Sequence, residues 1–263
     1  MLSVRDLEVS FRDRSVTDEA VRGVSFEMAS GEILGIVGES GSGKSVTARA
    51  IMGLLRGREA DVLGQILFGG QDLLTLDTEQ MRKVQGRRIS MVFQEPKSAL
   101  NPLMKIGRQV EEGLRIHSSK PKSQRRALAL EAMVAMELSE PERVYGQYPH
   151  ELSGGMRQRA MLAAALITEP ELLICDEPTT ALDIHTQTQI LALLQKVNAA
   201  NGMGILFISH DLQVIRSICR RVIVMQDGRI VEQGDVETLF TNPQEAYTRK
   251  LIDSIPGRRR RRE

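Results

Sequence analysis

The run Gly38-Glu39-Ser40-Gly41-Ser42-Gly43-Lys44-Ser45 fits the pattern G-x-x-x-x-G-K-[ST] and concentrates the chemistry that holds a polyphosphate. Glycines let backbone N–H groups converge on phosphate oxygens without Cβ clashes. A helix beginning near Lys44 points the positive end of its dipole at those oxygens. Lys44 then neutralises the β- and γ-phosphates, and the Ser45 hydroxyl ligates Mg²⁺. A second candidate is Leu172-Leu173-Ile174-Cys175-Asp176-Glu177, an apolar run that delivers two acids at its end. Asp176 suits the Mg²⁺ shell, and Glu177 suits polarising an attacking water. Read alone, the pair could equally be strand-end acids that cap a helix; beside a phosphate loop the catalytic reading gains.

Three further sites carry weaker signals. Ile205-Leu206-Phe207-Ile208 ends in Ser209-His210-Asp211, which places an imidazole where it could donate to a γ-phosphate, although a lone histidine is more often structural. Met91-Val92-Phe93-Gln94 ends in an amide whose oxygen could ligate Mg²⁺, although by itself it reads as a surface glutamine. Leu152-Ser153-Gly154-Gly155-Met156 opens a helical run and forms a second anion-binding nest, or else an ordinary serine N-cap. Two nests for one phosphate group are economical if two chains each lend the second nest to the other's nucleotide.

The elements that must position these residues follow from hydrophobic patterning. Ile33–Val37, Leu172–Cys175 and Ile205–Ile208 are continuous apolar runs, which predicts strands buried on both faces, as in a parallel sheet. Each ends in a glycine-rich or polar segment, the edge at which α/β sheets place their chemistry. Leu2–Phe11 alternates imperfectly, Val24–Met28 repeats that pattern, and Gln65–Phe68 runs into Gly69-Gly70. Together they predict an N-terminal antiparallel sheet. Residues from roughly 96 to 168 are helical in pattern, with Ala127–Met136 as an example, and are expected to form a helical subdomain inserted between core strands. Asp227-Gly228 between two apolar strands predicts a hairpin.

Composition bounds the rest. The chain has 263 residues, with Lys plus Arg 35 against Asp plus Glu 34, a balance unsuited to coating nucleic acid. Trp is absent and aromatics are 3%, so base-stacking platforms are disfavoured. Cys175 and Cys219 lack a CxxC partner and read as buried thiols in a reducing compartment. Arg5, Asp6 and Glu8 interrupt the N-terminus as a signal peptide would not allow, and the apolar run Ala160–Ile167 falls short of the ~20 residues that a bilayer core requires. The expectation is one domain over 1–255 with a disordered basic tail over 256–263, Arg258–Arg262 being a like-charge run.

Together and in this order, these segments resemble the ABC ATPase family over nearly the whole chain, Leu2 to about Leu251. The matching pieces are Walker A at Gly38–Ser45, the Q-loop at Gln94, the signature at Leu152–Met156, Walker B with its glutamate at Leu172–Glu177, the D-loop at Ala181-Leu182-Asp183 and the H-loop at His210. Met156 departs from the usual signature glutamine.

The resemblance implies an α/β fold: a P-loop NTPase core with a mostly parallel sheet, an N-terminal antiparallel β subdomain and an inserted helical subdomain. It implies ATP and Mg²⁺ as cofactors. Glu177, His210, Gln94 and Asp183 would be the catalytic set, with Ser45, Gln94 and Asp176 around the metal. Nucleotide contacts would come from Gly38, Glu39, Ser40, Gly41, Ser42, Gly43, Lys44, Ser45 and Val46, from Phe11 stacking on adenine, and from Ser153, Gly154 and Gly155 of an opposing chain. The implied partners are a second ATPase subunit, the same or different, two membrane permeases and, indirectly, an extracytoplasmic solute-binding protein, with no nucleic acid. The implied location is the cytoplasmic face of a bacterial inner membrane.

Phe93–Pro102 and Asn242-Pro243 followed by Ala246-Tyr247-Thr248 are similar to ATPases of peptide and nickel importers. The ending without a cysteine-containing extension is closer to the short nickel-type members. The rival expectations are a soluble ABC ATPase acting on nucleic acid or ribosomes, and a mainly nucleotide-binding partner in a heterodimer.

Overall fold

The computed structural model describes residues 1–13, 16–55, 60–93, 99–180 and 182–255, and its compact units are two: 1–77 with 204–263, and 78–203. Each unit is built around strands whose burial matches their sequence pattern.

In the first unit, β1 (Leu2–Asp13) pairs antiparallel with both β2 (Val16–Met28) and β4 (Ala60–Phe68), and the two-residue β5 (Gln71–Asp72) follows β4 across the Gly69-Gly70 turn. The imperfect alternation of β1 has a local cause. Its register shifts between Val4 and Leu7 against β2 and between Arg5 and Glu8 against β4. At that bulge Asp6 takes φ 45°, its N–H donates to the Ser25 hydroxyl at 2.8 Å, and that hydroxyl donates back to Asp6 Oδ1 at 3.1 Å. Gly64 faces the bulge, where a Cβ would lie 2.4 Å from the Asp6 carbonyl.

The same unit holds β3 (Ile33–Val37), flanked in parallel by β8 (Gly204–Ser209) and β9 (Arg221–Gln226), with β10 (Arg229–Asp235) antiparallel to β9. Every residue of β8 is buried, as a continuous apolar run covered on both faces requires. Asp227 (φ 49°) and Gly228 (φ 77°) make the β9–β10 turn with both central residues left-handed, the geometry that matches strand twist. A Cβ at Gly35 would lie 2.9 Å from Ile215 and 3.1 Å from the Cys219 sulfur, so this glycine lets the helix Leu212–Ile218 lie close on β3. Helix α1 (Lys44–Ile51) follows the loop after β3.

In the second unit, α2 (Thr78–Val84) precedes β6 (Ile89–Val92), which pairs in parallel with β7 (Leu172–Asp176). Glu171 N–H and Leu172 N–H both donate to the Arg88 carbonyl, and the Arg88 guanidinium meets the Glu171 carboxylate at 2.5 and 3.0 Å, which fixes the starts of both strands. Between β6 and β7 the described residues include the helices α3 (Ile106–Val110), α4 (Glu112–His117), α5 (Lys122–Ala135), α6 (Pro141–Gly146) and α7 (Gly154–Leu166). After β7 comes α8 (Ile184–Asn201), ended by Gly202 at φ 63°. The first unit is completed by α9 (Leu212–Ile218), α10 (Val236–Thr241) and α11 (Ala246–Asp253). Among the described residues, no helix is long and apolar enough to cross a membrane.

Candidate functional site

The glycine-rich loop leaves β3 at Val37 and enters α1 at Lys44. Its shape is dictated by neighbours in its own unit. A Cβ at Gly38 would sit 2.2 Å from the Met225 carbonyl and 2.6 Å from Ser42 Oγ. A Cβ at Gly43, where φ is 98°, would sit 2.6 Å from the Ala20 carbonyl. The hairpin turn supports the same loop, since Gly228 N–H donates to the Ser42 carbonyl at 3.2 Å and Arg22 N–H to the Gly228 carbonyl at 2.8 Å. Inside the loop, the buried Lys44 ammonium donates to the Gly38 carbonyl (2.9 Å), the Glu39 carbonyl (2.8 Å) and Ser42 Oγ (3.3 Å). The cation is therefore held over the loop by the loop itself.

Four helix starts are capped by a side-chain oxygen, and α1, like α3–α6 and α11, is not. Ser153 caps α7, Asp183 caps α8, Asp211 caps α9 and Asp235 caps α10, each through a side-chain oxygen. At α1 the cap is Gly43, which has no side chain to offer. A helix start of this kind, opened by a nest of glycines, is suited to an anion rather than to a side-chain cap. Ser45 and Val46 lie in this first turn and are partly exposed.

Strand register brings His210 to the same edge. Val37 pairs with Ser209, so Gly38 and His210 are the next residues out of two adjacent parallel strands. His210 is exposed, and Asp211 behind it is held by Ser209 Oγ at 3.0 Å and caps α9 through Gln213 N–H at 2.8 Å. Phe11 lies on β1 opposite Asp18, two positions along β2 from the Ala20 that borders Gly43.

In the second unit, Val92 pairs with Cys175, which sets Asp176 one residue past the register point at the end of β7. Asp176 is buried and Glu177 is half-buried. Glu177 adopts φ 49°, a left-handed conformation uncommon for a non-glycine residue, and its carboxylate accepts from Thr180 Oγ1 at 2.9 Å. Gln94 and Ala181 lie outside the described residues, as does the Arg258–Arg262 run.

The serine-glycine turn is also locally explained. Ser153 Oγ accepts from Met156 N–H at 3.3 Å, and both Ser153 and Gly154 are exposed. A Cβ at Gly155 would meet Thr186 Cγ2 at 2.9 Å. Thr186 in turn donates to both oxygens of Asp183, at 2.9 Å from its N–H and 2.7 Å from its hydroxyl. These bonds hold the Asp183 carboxyl below its ordinary value of 3.8. Thus Thr186, which sequence reasoning passed over, ties the signature turn to Asp183. Its only sequence signal was its place three residues after a capping aspartate.

The chain as a whole is similar to known proteins. The family description "ABC transporter" matches residues 21–180. The chain belongs to the ABC transporter family. This cassette is 49% identical over 264 residues to the "Probable peptide ABC transporter ATP-binding protein y4tR" of Sinorhizobium fredii, a match covering all of this chain and 79% of that one. It is 45% identical over 257 residues to the oligopeptide transport ATP-binding protein OppD of Bacillus subtilis, covering 97% of this chain and 72% of OppD. Among solved structures, a dimeric ATP-binding cassette in a post-hydrolysis state with ADP and Pi superposes with a TM-score of 0.81 at 29% identity, covering 90% of this chain and 99% of that one. The cassette is an ATP-binding ATPase on the α/β architecture of this family.

Proposed function

We propose that this cassette hydrolyses ATP to energise an importer of peptides. The observation that carries the reading is the loop at Gly38–Ser45, where a lysine is buried against loop carbonyls and a helix begins without a side-chain cap. The peptide cargo is supported by the names of y4tR and OppD, which favour peptides over nickel.

In the proposed mechanism, loop N–H groups and Lys44 hold the β- and γ-phosphates of ATP, and Phe11 packs on adenine. His210 donates toward the γ-phosphate from the strand edge it shares with Gly38. Glu177 takes or polarises the proton of the attacking water. The donors assigned to Mg²⁺, the Ser45 hydroxyl, the Asp176 carboxylate and the Gln94 amide oxygen, are hard oxygens of the kind this cation takes, and Asp176 is buried at a strand end. Bound there, Mg²⁺ would neutralise charge on the phosphate oxygens. A second cassette, the same or a different one, would supply Ser153, Gly154 and Gly155 to this ATP, and Asp183 would link the two sites. Two permeases would transmit closure, with the assembly on the cytoplasmic face of the inner membrane and a solute-binding protein delivering the peptide from outside. The proposed layout keeps 1–255 as one cassette with a helical subdomain at roughly 96–168.

Glu177→Gln in the assembled transporter tests the chemistry. ATP binding should persist, while steady-state hydrolysis falls by about 10²–10⁴. Turnover near the parent's would remove Glu177 from the role given to it.

A further inference from the structure

One contact at the phosphate loop comes from the far end of the sequence. Glu39 N–H donates to the Tyr247 hydroxyl oxygen at 3.0 Å, across 208 residues. The peptide unit joining Gly38 to Glu39 is therefore held at both ends. Its N–H is taken by Tyr247, and its carbonyl, that of Gly38, accepts from the Lys44 ammonium at 2.9 Å. A trans peptide is rigid, so fixing the N–H fixes the direction of the carbonyl. Through one peptide plane, the phenol sets where the lysine charge points. Burial raises the Tyr247 pKa above its ordinary value; the Glu39 N–H opposes this in part and the Glu39 and Asp227 carboxylates add to it, so the phenol stays neutral.

Tyr247 lies on α11, and α11 is itself docked. Glu232 on β10 accepts from Gln244 N–H at 2.9 Å and Glu245 N–H at 3.2 Å, which fixes the entry to the helix. Arg249 closes the same turn through the carbonyls of Pro243 (3.2 Å) and Gln244 (2.5 Å). Thr248 and Ile252 bury the inner face. Beside the phenol, the Lys250 ammonium sits 3.5 Å from the Glu39 carboxylate, a weak exposed pair that offsets an acid placed on an anion-binding loop.

We infer that Tyr247 is a positioning residue for nucleotide binding: from α11 it orients the Gly38–Glu39 peptide and, through it, the Lys44 ammonium. The inference rests on reading Gly38–Ser45 as the phosphate-binding loop. It assigns the C-terminal helix a part in setting nucleotide affinity, beyond packing.

The test is ADP titration of the full chain, since ADP carries the β-phosphate and does not turn over. Tyr247→Phe keeps the ring and removes only the acceptor. Loss of one net hydrogen bond predicts about fivefold weaker ADP binding. In the assembled transporter KM for ATP should rise by a similar factor while kcat holds, and the Glu39 amide should exchange faster with solvent. A role in packing alone would not separate KM from kcat or single out that amide. Parental ADP affinity in Tyr247→Phe overturns the inference. Should that variant not fold, parental affinity in Glu232→Gln, which loosens the helix without touching the phenol, does the same. Lys44→Ala separates the two claims: if it too binds ADP as the parent does, the reading of the loop fails, and if only Lys44→Ala loses binding, the role of Tyr247 alone fails.

Discussion

Single atoms decide much at the phosphate loop. Gly38 is conspicuous because the Met225 carbonyl and Ser42 Oγ both lie where a methyl group would stand, at 2.2 and 2.6 Å. Neither is the free end of a flexible chain: one is backbone in β9 and the other belongs to the loop. Gly38→Ala must therefore shift the loop against β9. We expect a stability loss of about 1–3 kcal/mol from overpacking, together with ADP affinity reduced more than stability alone explains. Thermal unfolding and ADP titration of the same variant check both halves. Gly41 is a contrast, since nothing lies within 4 Å of its missing Cβ, and its φ of 84° is what calls for glycine there. The pattern G-x-x-x-x-G-K-[ST] requires glycine at 38 and leaves 41 open, so the need for glycine at Gly41 shows only in its backbone.

Between residues and the whole chain, helix ends carry the chemistry. Four starts are capped by their own serine or aspartate; the one at the phosphate loop, like those of α3–α6 and α11, has no side-chain cap, and there the cap residue is a glycine. At the C-terminal side, Glu232 serves as an outside cap for the entry to α11. Burial alone would raise its pKa, but the N–H groups of Gln244 and Glu245 and the Arg249 charge outweigh burial and leave it below the ordinary 4.5. A carboxyl whose folded pKa is depressed contributes stability above its unfolded pKa and loses it as pH falls through the folded value. Glu232→Gln should therefore be less stable than the parent at neutral pH. The difference should shrink as pH drops below about 4.5, where the parent carboxyl also takes up its proton. Denaturant titrations of both chains at pH 7 and below pH 4 measure this, and a pH-independent gap would contradict it. The bulge at Asp6 belongs to the same scale. It breaks the alternation of β1 so that Leu7 and Val9 still reach the core, which is why the pattern reads as imperfect in the sequence.

For the molecule as a whole, no described helix is long and apolar enough to cross a membrane, and the proposed seat at the membrane is through the two permeases. Alkaline carbonate washing of membrane vesicles carrying the assembled transporter should release this chain into the supernatant while the permeases stay in the pellet; retention of the chain after the wash would contradict a peripheral seat. The sequence by itself determined a good deal. Phosphate-loop residues are contiguous, so their chemistry is legible as a string. The buried strands Ile33–Val37, Leu172–Asp176 and Gly204–Ser209 announce themselves because both faces must be apolar. The Asp227-Gly228 turn is equally local, since a turn with two left-handed residues favours an aspartate followed by a glycine, which has no Cβ to clash. What only the tertiary structure decided depends on register and on long-range approach. The pairing of Val37 with Ser209 sets His210 beside Gly38, and no periodicity states which strand lies next to which. Thr186 against Gly155 joins the first turns of α8 and α7, which the sequence separates by the rest of α7 and by β7. Tyr247 was visible only as part of a resemblance, because a hydrogen bond across 208 residues leaves no local trace in composition or spacing. Local chemistry is written in neighbouring residues, whereas the positioning of that chemistry is written in contacts that form only once the chain has closed on itself.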